Sequence, residues 1–246
     1  MNFVDCPSPN HDERPESRPP TILVLHYTGM ETARGAIERL CNPEARVSAH
    51  YTVDEDGTVY VHVPEHRRAW HAGASYWQGE TDVNGASIGI EIVNPGHEFG
   101  YRPFPAAQMA VVTALAKRIV LQYRILPLRV VGHSDIAPER KTDPGELFDW
   151  QALAAAGVGF WPEPESVELH LYDPFTQKLD TVGRNLCRIG YHWPVEPITE
   201  KTRAAYRSAL VAIIGAFQRH YRSGRLTGTL DAETAALAAV VAAARD

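Results

Sequence analysis

Apolar positions along the chain fall into two periods. "TILVLHYT" (Thr21 to Thr28) is a near-continuous apolar run with branched residues, the pattern of a strand buried on both faces. In "ETARGAIERL", Ala33, Ile37 and Leu40 recur at helical spacing. "SAHYTVDEDGTVYVHV" holds two β-prone runs around Asp56-Gly57, which predicts a hairpin. "ASIGIEIVN" predicts a further strand, closed by Asn94-Pro95-Gly96; alternation puts Ile88, Ile90 and Ile92 on one face and Gly89, Glu91 and Val93 on the other. From Pro105 to Tyr123, the residues Met109, Val112, Ala116, Ile119 and Tyr123 mark an amphipathic helix of about five turns. "LRVVG" predicts a fourth strong strand, and "LFDWQALAAAG" a short helix ending at Gly157. The segment up to Pro20, rich in Pro, Ser and charge, is expected to run extended over the surface.

Strands alternating with helices predict an α/β fold with a central mixed β-sheet flanked by helices, mixed because a hairpin is antiparallel. "GFWPEPES" (159–166) reads as a linker, after which the pattern changes. A short helix is predicted in "GRNLCRIGY", and a long one from about Thr199 to Tyr221 with Tyr206, Leu210, Ile213 and Phe217 on one face. A last, alanine-rich helix starts after Asp231, a residue suited to be its N-cap. The expected organisation is thus a larger unit over 1–160, with an extended segment 1–20, and a small three-helix unit over 167–246.

Composition narrows the function. The chain has 246 residues, a formal charge of −6, 44% hydrophobic and 22% charged residues, which is ordinary for a soluble globular protein. Mild acidity speaks against nucleic acid as a partner, and Arg67-Arg68 reads as a solvated face. No apolar run approaches the ~18 to 20 residues of a membrane span. The N-terminus shows no basic start followed by an apolar stretch. A cytoplasmic location is therefore expected, with a periplasmic or outer-membrane-associated one as the alternative if a leader was removed. Cys6, Cys41 and Cys187 are widely spaced and odd in number, which argues against a disulfide framework and suits a reducing compartment.

Three apolar runs end in a polar residue: "ILVLH" in His26, "IGIE" in Glu91 and "RVVGH" in His133. Strand ends are where α/β proteins gather functional groups. A carboxylate inside "SIGIEIV" loses hydration, so Glu91 is either paired with a cation or catalytic. The loop "VVGHSDIAPERKTDPG" (Val130 to Gly145) adds His133, Lys141 and Asp143. His133 and Asp143 offer metal-ligand atoms, and His26 completes a set of two histidines and one carboxylate that leaves a fourth tetrahedral position free. Spacing alone does not say why His26 is to be preferred to His50, His62 or His71.

"LVLHYT", "RVSAHYTVDEDGTVYVHVPEHRRAWHAGAS", "SIGIEIVN" and "GHSDIAPERKTDPG" closely resemble the zinc-dependent N-acetylmuramoyl-L-alanine amidases of the AmpD/AmiD type, which share a fold with phage T7 lysozyme and the peptidoglycan recognition proteins. The resemblance spans residues 20 to 157. It implies one zinc ion held by His26, His133 and Asp143, with Glu91 as catalytic carboxylate and Lys141 as the cation near the developing oxyanion. It also implies Arg46 at a stem-peptide carboxylate, Trp70 on the sugar side, and supporting roles for His50 and His71. The remaining histidines, His11, His97, His170, His192 and His220, are read as surface residues. "AFQRHYR" and "GTLDAETAALA" resemble the helical peptidoglycan-binding module of AmiD-type enzymes, and the compact stretch between Arg34 and Arg46 favours that branch. The implied activity is hydrolysis of the amide between the lactyl group of N-acetylmuramic acid, or its 1,6-anhydro form, and L-alanine, by a monomer acting on peptidoglycan or muropeptides. The competing expectations are a non-hydrolytic peptidoglycan recognition protein and a zinc peptidase on the same fold.

Overall fold

The computed structural model describes residues 1–15, 18–171, 173, 175–194 and 199–245. Its first unit runs β1 (Asn2–Asp5), β2 (His11–Glu13), β3 (Ile22–Tyr27), α1 (Ala33–Cys41), β4 (Tyr51–Val53), β5 (Thr58–Val61), β6 (Arg67–Ala69), α2 (Val83–Ala86), β7 (Ser87–Ile92), α3 (Gly96–Phe99), α4 (Ala106–Tyr123), β8 (Val130–Gly132), α5 (His133–Ile136) and α6 (Trp150–Ala155). Then come α7 (Pro164–Leu171), α8 (Leu179–Ile189), α9 (Glu200–Tyr221) and α10 (Ala232–Ala243). No helix among the described residues is long and apolar enough to cross a membrane.

The central sheet is six-stranded and mixed, in the order β1-β5-β4-β7-β3-β8, as the alternation of elements predicts. β4, β7, β3 and β8 are parallel neighbours, and β4 pairs with β5 antiparallel across the Asp56-Gly57 turn. Pleating sorts the side chains of the central strands into two cores. Leu23, Leu25, Ile88, Ile90, Ile92, Tyr51 and Val53 pack under α4, against Val112, Leu115, Ala116 and Ile119. Ile22 and Val24 point the other way, into a core with Trp77, Val131, Leu186, Phe217 and Val241.

That second core joins the sheet to the C-terminal helices. On α9 most of the buried apolar residues, among them Ile213, Ile214, Ala216, Phe217 and Tyr221, lie towards its C-terminal end, whereas Tyr206 and Leu210 are only partly buried. Asp231 caps α10 by accepting from Thr234 N, as its position suggests. The expected linker 159–166 ends inside a helix, because Pro164 opens α7.

The opening segment is extended, yet it is not a surface strap throughout. β1 adds to the sheet beside β5, and β2 pairs with β6. Arg14 is buried and donates to the carbonyls of Glu65, Gly85 and Ser87 at 2.8–3.0 Å. Loop carbonyls cut off from water need donors, and a guanidinium supplies several in one side chain. Arg67 and Arg68 are half-buried and pair with Glu13, Asp12 and Asp82 rather than forming a free basic face.

His220 departs from the surface role expected of it. It is buried, stacks on Trp150 with ring centroids 3.8 Å apart, and its Nδ1 lies 2.7 Å from Asp135 Oδ2. Tyr191 donates to the other oxygen of Asp135 at 2.5 Å, and Gly132 N donates to Oδ2 at 2.8 Å. One buried carboxyl therefore ties α8 and α9 to α5, the short helix that begins with His133. Tyr191→Phe removes one hydroxyl and leaves a buried acceptor short of a partner. The expected result is a loss of roughly 1–3 kcal/mol of stability in urea denaturation, with secondary structure unchanged by circular dichroism.

Candidate metal centre and cleft

Strands β3, β7 and β8 end at one edge of the sheet, and their register decides which side chains meet there. His26 pairs with Glu91, and Val24 with Gly89. His26, Gly89 and Glu91 thus share the sheet face opposite α4. β8 stops at Gly132, and His133 opens α5 directly after it. The loop beyond α5 then turns back, with Ser134 N donating to Asp143 O at 2.9 Å. Gly132 permits this return, since a Cβ there would stand 2.7 Å from Pro144 Cδ.

The result is a convergence of three side chains far apart in sequence. His26 Nδ1 lies 2.9 Å from His133 Nδ1 and 3.0 Å from Asp143 Oδ2. His133 Nδ1 lies 3.1 Å from the same oxygen. All three residues are buried. Their donor atoms form a group able to hold a metal ion.

The chemistry of the set tests the fit. His133 Nε2 faces the carbonyl of Ala72 at 3.1 Å, and a carbonyl only accepts. A proton on Nε2 meets that carbonyl, and with it there Nδ1 presents the lone pair that a metal ligand needs. That lone pair is aimed at a carboxylate oxygen, so two acceptors face each other in a buried pocket. A cation between them removes the conflict. A second cluster of possible ligands, Cys6, Cys41 and His62, does not pass the same test. His62 Nδ1 lies 2.8 Å from the Cys6 carbonyl and donates to it, which leaves no lone pair there. The Cys6 and Cys41 sulfurs, though distant in sequence, are 3.2 Å apart.

Protonation follows from the surroundings. Burial, reinforced by His133, lowers the His26 pKa to about 4, so the ring is neutral at pH 7. Burial alone would raise the Asp143 carboxyl, but His133 and His26 hold it well below the usual carboxylate range. Glu91 behaves oppositely. Burial pushes its pKa well above the ordinary value, Asp143 adds to the rise, and Lys141 opposes it. Glu91 Oε2 is buried with no hydrogen-bond partner among the described residues.

Above this group opens a cleft of about 420 Å³. Glu91, Lys141, His71, His133, Asp143 and Trp70 all line it. Trp70 Nε1 is a buried donor without a partner among the described residues. Arg46 is not brought to this cleft. It is exposed, with φ of 51° at the end of a 3₁₀ turn, while Arg39 of α1 and Arg140 line the cleft. Arg140 also went unmarked in the sequence. It donates to the carbonyl of Ala74 from Nε at 2.9 Å and from Nη2 at 2.7 Å, fastening the Lys141–Asp143 loop across the centre. Tyr27 closes the rim, its hydroxyl 3.0 Å from Thr142 Oγ1 and 2.9 Å from His97 Nδ1. His50 does not join the centre, because its Nδ1 accepts from Gly89 N at 3.0 Å.

Comparison with known proteins identifies the family. Residues 16–146 match the family described as N-acetylmuramoyl-L-alanine amidase. The chain is 38% identical over 231 residues to the N-acetylmuramoyl-L-alanine amidase AmiD of Escherichia coli, covering 88% of this chain and 80% of that protein. It is 37% identical over 161 residues to the E. coli 1,6-anhydro-N-acetylmuramyl-L-alanine amidase AmpD, covering 58% of this chain and 86% of that one. Among solved structures, AmiD from E. coli in complex with anhydro-N-acetylmuramic acid-L-Ala-D-γ-Glu-L-Lys superposes with a TM-score of 0.78 at 36% identity, covering 91% of this chain and 89% of that one. AmpDh3 from Pseudomonas aeruginosa, in complex with an anhydromuramic pentapeptide, does so with a TM-score of 0.80 at 30% identity, covering 92% of each chain. The similarity to AmiD and AmpDh3 extends through the C-terminal helices, and the chain belongs to the N-acetylmuramoyl-L-alanine amidase family.

Proposed function

We propose that the protein hydrolyses the amide between the lactyl group of N-acetylmuramic acid, or its 1,6-anhydro form, and the L-alanine of a peptidoglycan stem peptide. The observation that carries this reading is the meeting of His26, His133 and Asp143, with His133, Asp143 and Glu91 lining one cleft. His26 Nδ1, His133 Nδ1 and Asp143 Oδ2 would hold a single zinc ion. When bound, zinc supplies Lewis acidity, which acidifies water and polarises an acyl oxygen.

The residues of the chain do the rest. Glu91, whose side chain lines the cleft, takes the proton of the attacking water and delivers it to the L-alanine nitrogen as the C–N bond breaks. The products are a lactyl carboxylate and a peptide with a free amine. The raised Glu91 pKa suits a group that must both accept and release a proton, and the nearby Lys141 favours its ionised form before the step. The Lys141 ammonium also offsets the negative charge growing on the carbonyl oxygen. Trp70 lines the cleft and takes the sugar side by its place in the family motif. Arg39 faces the cleft where a stem-peptide carboxylate is to be held; Arg46 keeps that role only on its place in the family motif. The helices over 167–246 are proposed as a peptidoglycan-binding-like module, packed onto the sheet rather than standing free.

A non-hydrolytic recognition protein needs no general base, whereas here an unpaired carboxyl oxygen stands beside the triad. Digestion of muropeptides followed by mass spectrometry separates the readings. Release of an intact stem peptide with a free L-alanine amine is expected. Cleavage between amino acids, or uncut fragments with zinc present, would refute the amidase. Glu91→Ala should keep stoichiometric zinc by elemental analysis while losing roughly 10²–10⁴-fold in turnover. Lys141→Met should lower kcat by about 10²-fold with zinc content unchanged, measured in the same assay.

A further inference from the structure

The third atom of the centre, His26 Nδ1, presents a lone pair only if the His26 ring proton lies on Nε2. Among the described residues no carbonyl faces His26 Nε2 as Ala72 faces His133. Its neighbour is His71 Nδ1, at 3.0 Å, with the two rings edge-on at 85°. An imidazole nitrogen either donates or accepts, so the question passes to His71.

His71 Nε2 lies 3.1 Å from Ser87 Oγ, and Ser87 Oγ lies 2.5 Å from the carbonyl of Val83. The carbonyl only accepts, so the single Ser87 hydroxyl proton is directed to Val83. Ser87 Oγ then has only lone pairs left for His71, and His71 Nε2 must donate. His71 Nδ1 is therefore bare and accepts from His26 Nε2. Each hydrogen bond in the row has one direction, and the last one leaves His26 Nδ1 free for a cation.

The cradle around His71 is built to hold this row. Asn84 Oδ1 accepts from both His71 N at 3.0 Å and Ala72 N at 2.8 Å. That one amide fixes the segment whose side chain orients His26 and whose carbonyl orients His133. Gly89 leaves room for the ring, since a Cβ there would stand 2.5 Å from His71 Cγ. Ser87 and Gly89 belong to the same strand as Glu91.

We propose that His71, directed by Ser87, is the positioning residue that sets His26 in its metal-binding tautomer. The inference rests on the metal centre described above and adds to it the residues that make His26 a ligand. Partners of this kind typically change metal affinity 10–100-fold.

Two measurements test it on the full chain. Ring ¹⁵N–¹H correlation spectra of the zinc-loaded protein should find His71 protonated on Nε2 and bare on Nδ1; a proton on His71 Nδ1 overturns the proposal. Zinc affinity, read by competition with a chromophoric chelator, should fall about 10–100-fold in His71→Ala and by a smaller factor in Ser87→Ala. Ser87→Ala should add nothing once His71 is gone, because the serine acts through the histidine. Unchanged affinity in either folded single variant overturns the proposal. Should His71→Ala not fold, the Ser87→Ala affinity and the spectra decide. If the wild-type chain itself takes up no zinc, the metal centre fails, which is a different outcome from tight wild-type binding that both variants retain.

Discussion

The crowding of two imidazole nitrogens and one carboxylate oxygen to within 3.1 Å of one another governs this structure. Left alone in a buried pocket, lone pairs so placed oppose folding. With a cation among them they attract, and the energy of metal binding becomes energy of folding. Much of the surrounding architecture serves to bring these atoms together and to fix which nitrogen carries a proton. The Ala72 carbonyl does this for His133, and the row through His71 and Ser87 does it for His26.

The sheet supplies the placement. Parallel β3, β7 and β8 end together, and the pleat sends Leu23, Leu25, Ile88 and Ile90 under α4 while His26 and Glu91 face the cleft. The same face further down is apolar and is covered by the C-terminal helices. Those helices do more than cover it. Through His220 on α9 and Tyr191 just after α8, this unit grips Asp135, two residues beyond His133, so buried hydrogen bonds tie a ligand-bearing segment to residues 56 and 85 positions away in sequence.

Much of this was legible in the chain. The strands, the Asp56-Gly57 hairpin, the long helix after Pro105 and the Asp231 cap follow from local rules of periodicity and capping, and local rules suffice for them. The triad with Glu91 and Lys141 was reached through family motifs; from the residues alone His50, His62 and His71 rivalled His26. Strand register and hydrogen-bond direction distinguish them, and neither is written in spacing. The departures at the opening segment and at His220 share one cause. The opening segment reads as a surface strap because the carbonyls that hold Arg14 within it are some fifty to seventy residues away. His220 looked like a surface residue because Asp135 and Trp150, which enclose it, come from the other unit. Arg46, placed by a family motif, sits on an exposed turn after α1.

Anomalous diffraction at the zinc absorption edge, from crystals of the zinc-loaded chain, addresses the central claim most directly. The account predicts one strong peak bonded to His26 Nδ1, His133 Nδ1 and Asp143 Oδ2 at about 2.0–2.2 Å. A peak elsewhere, for instance at Cys6 and Cys41, or none between the three side chains, would contradict it.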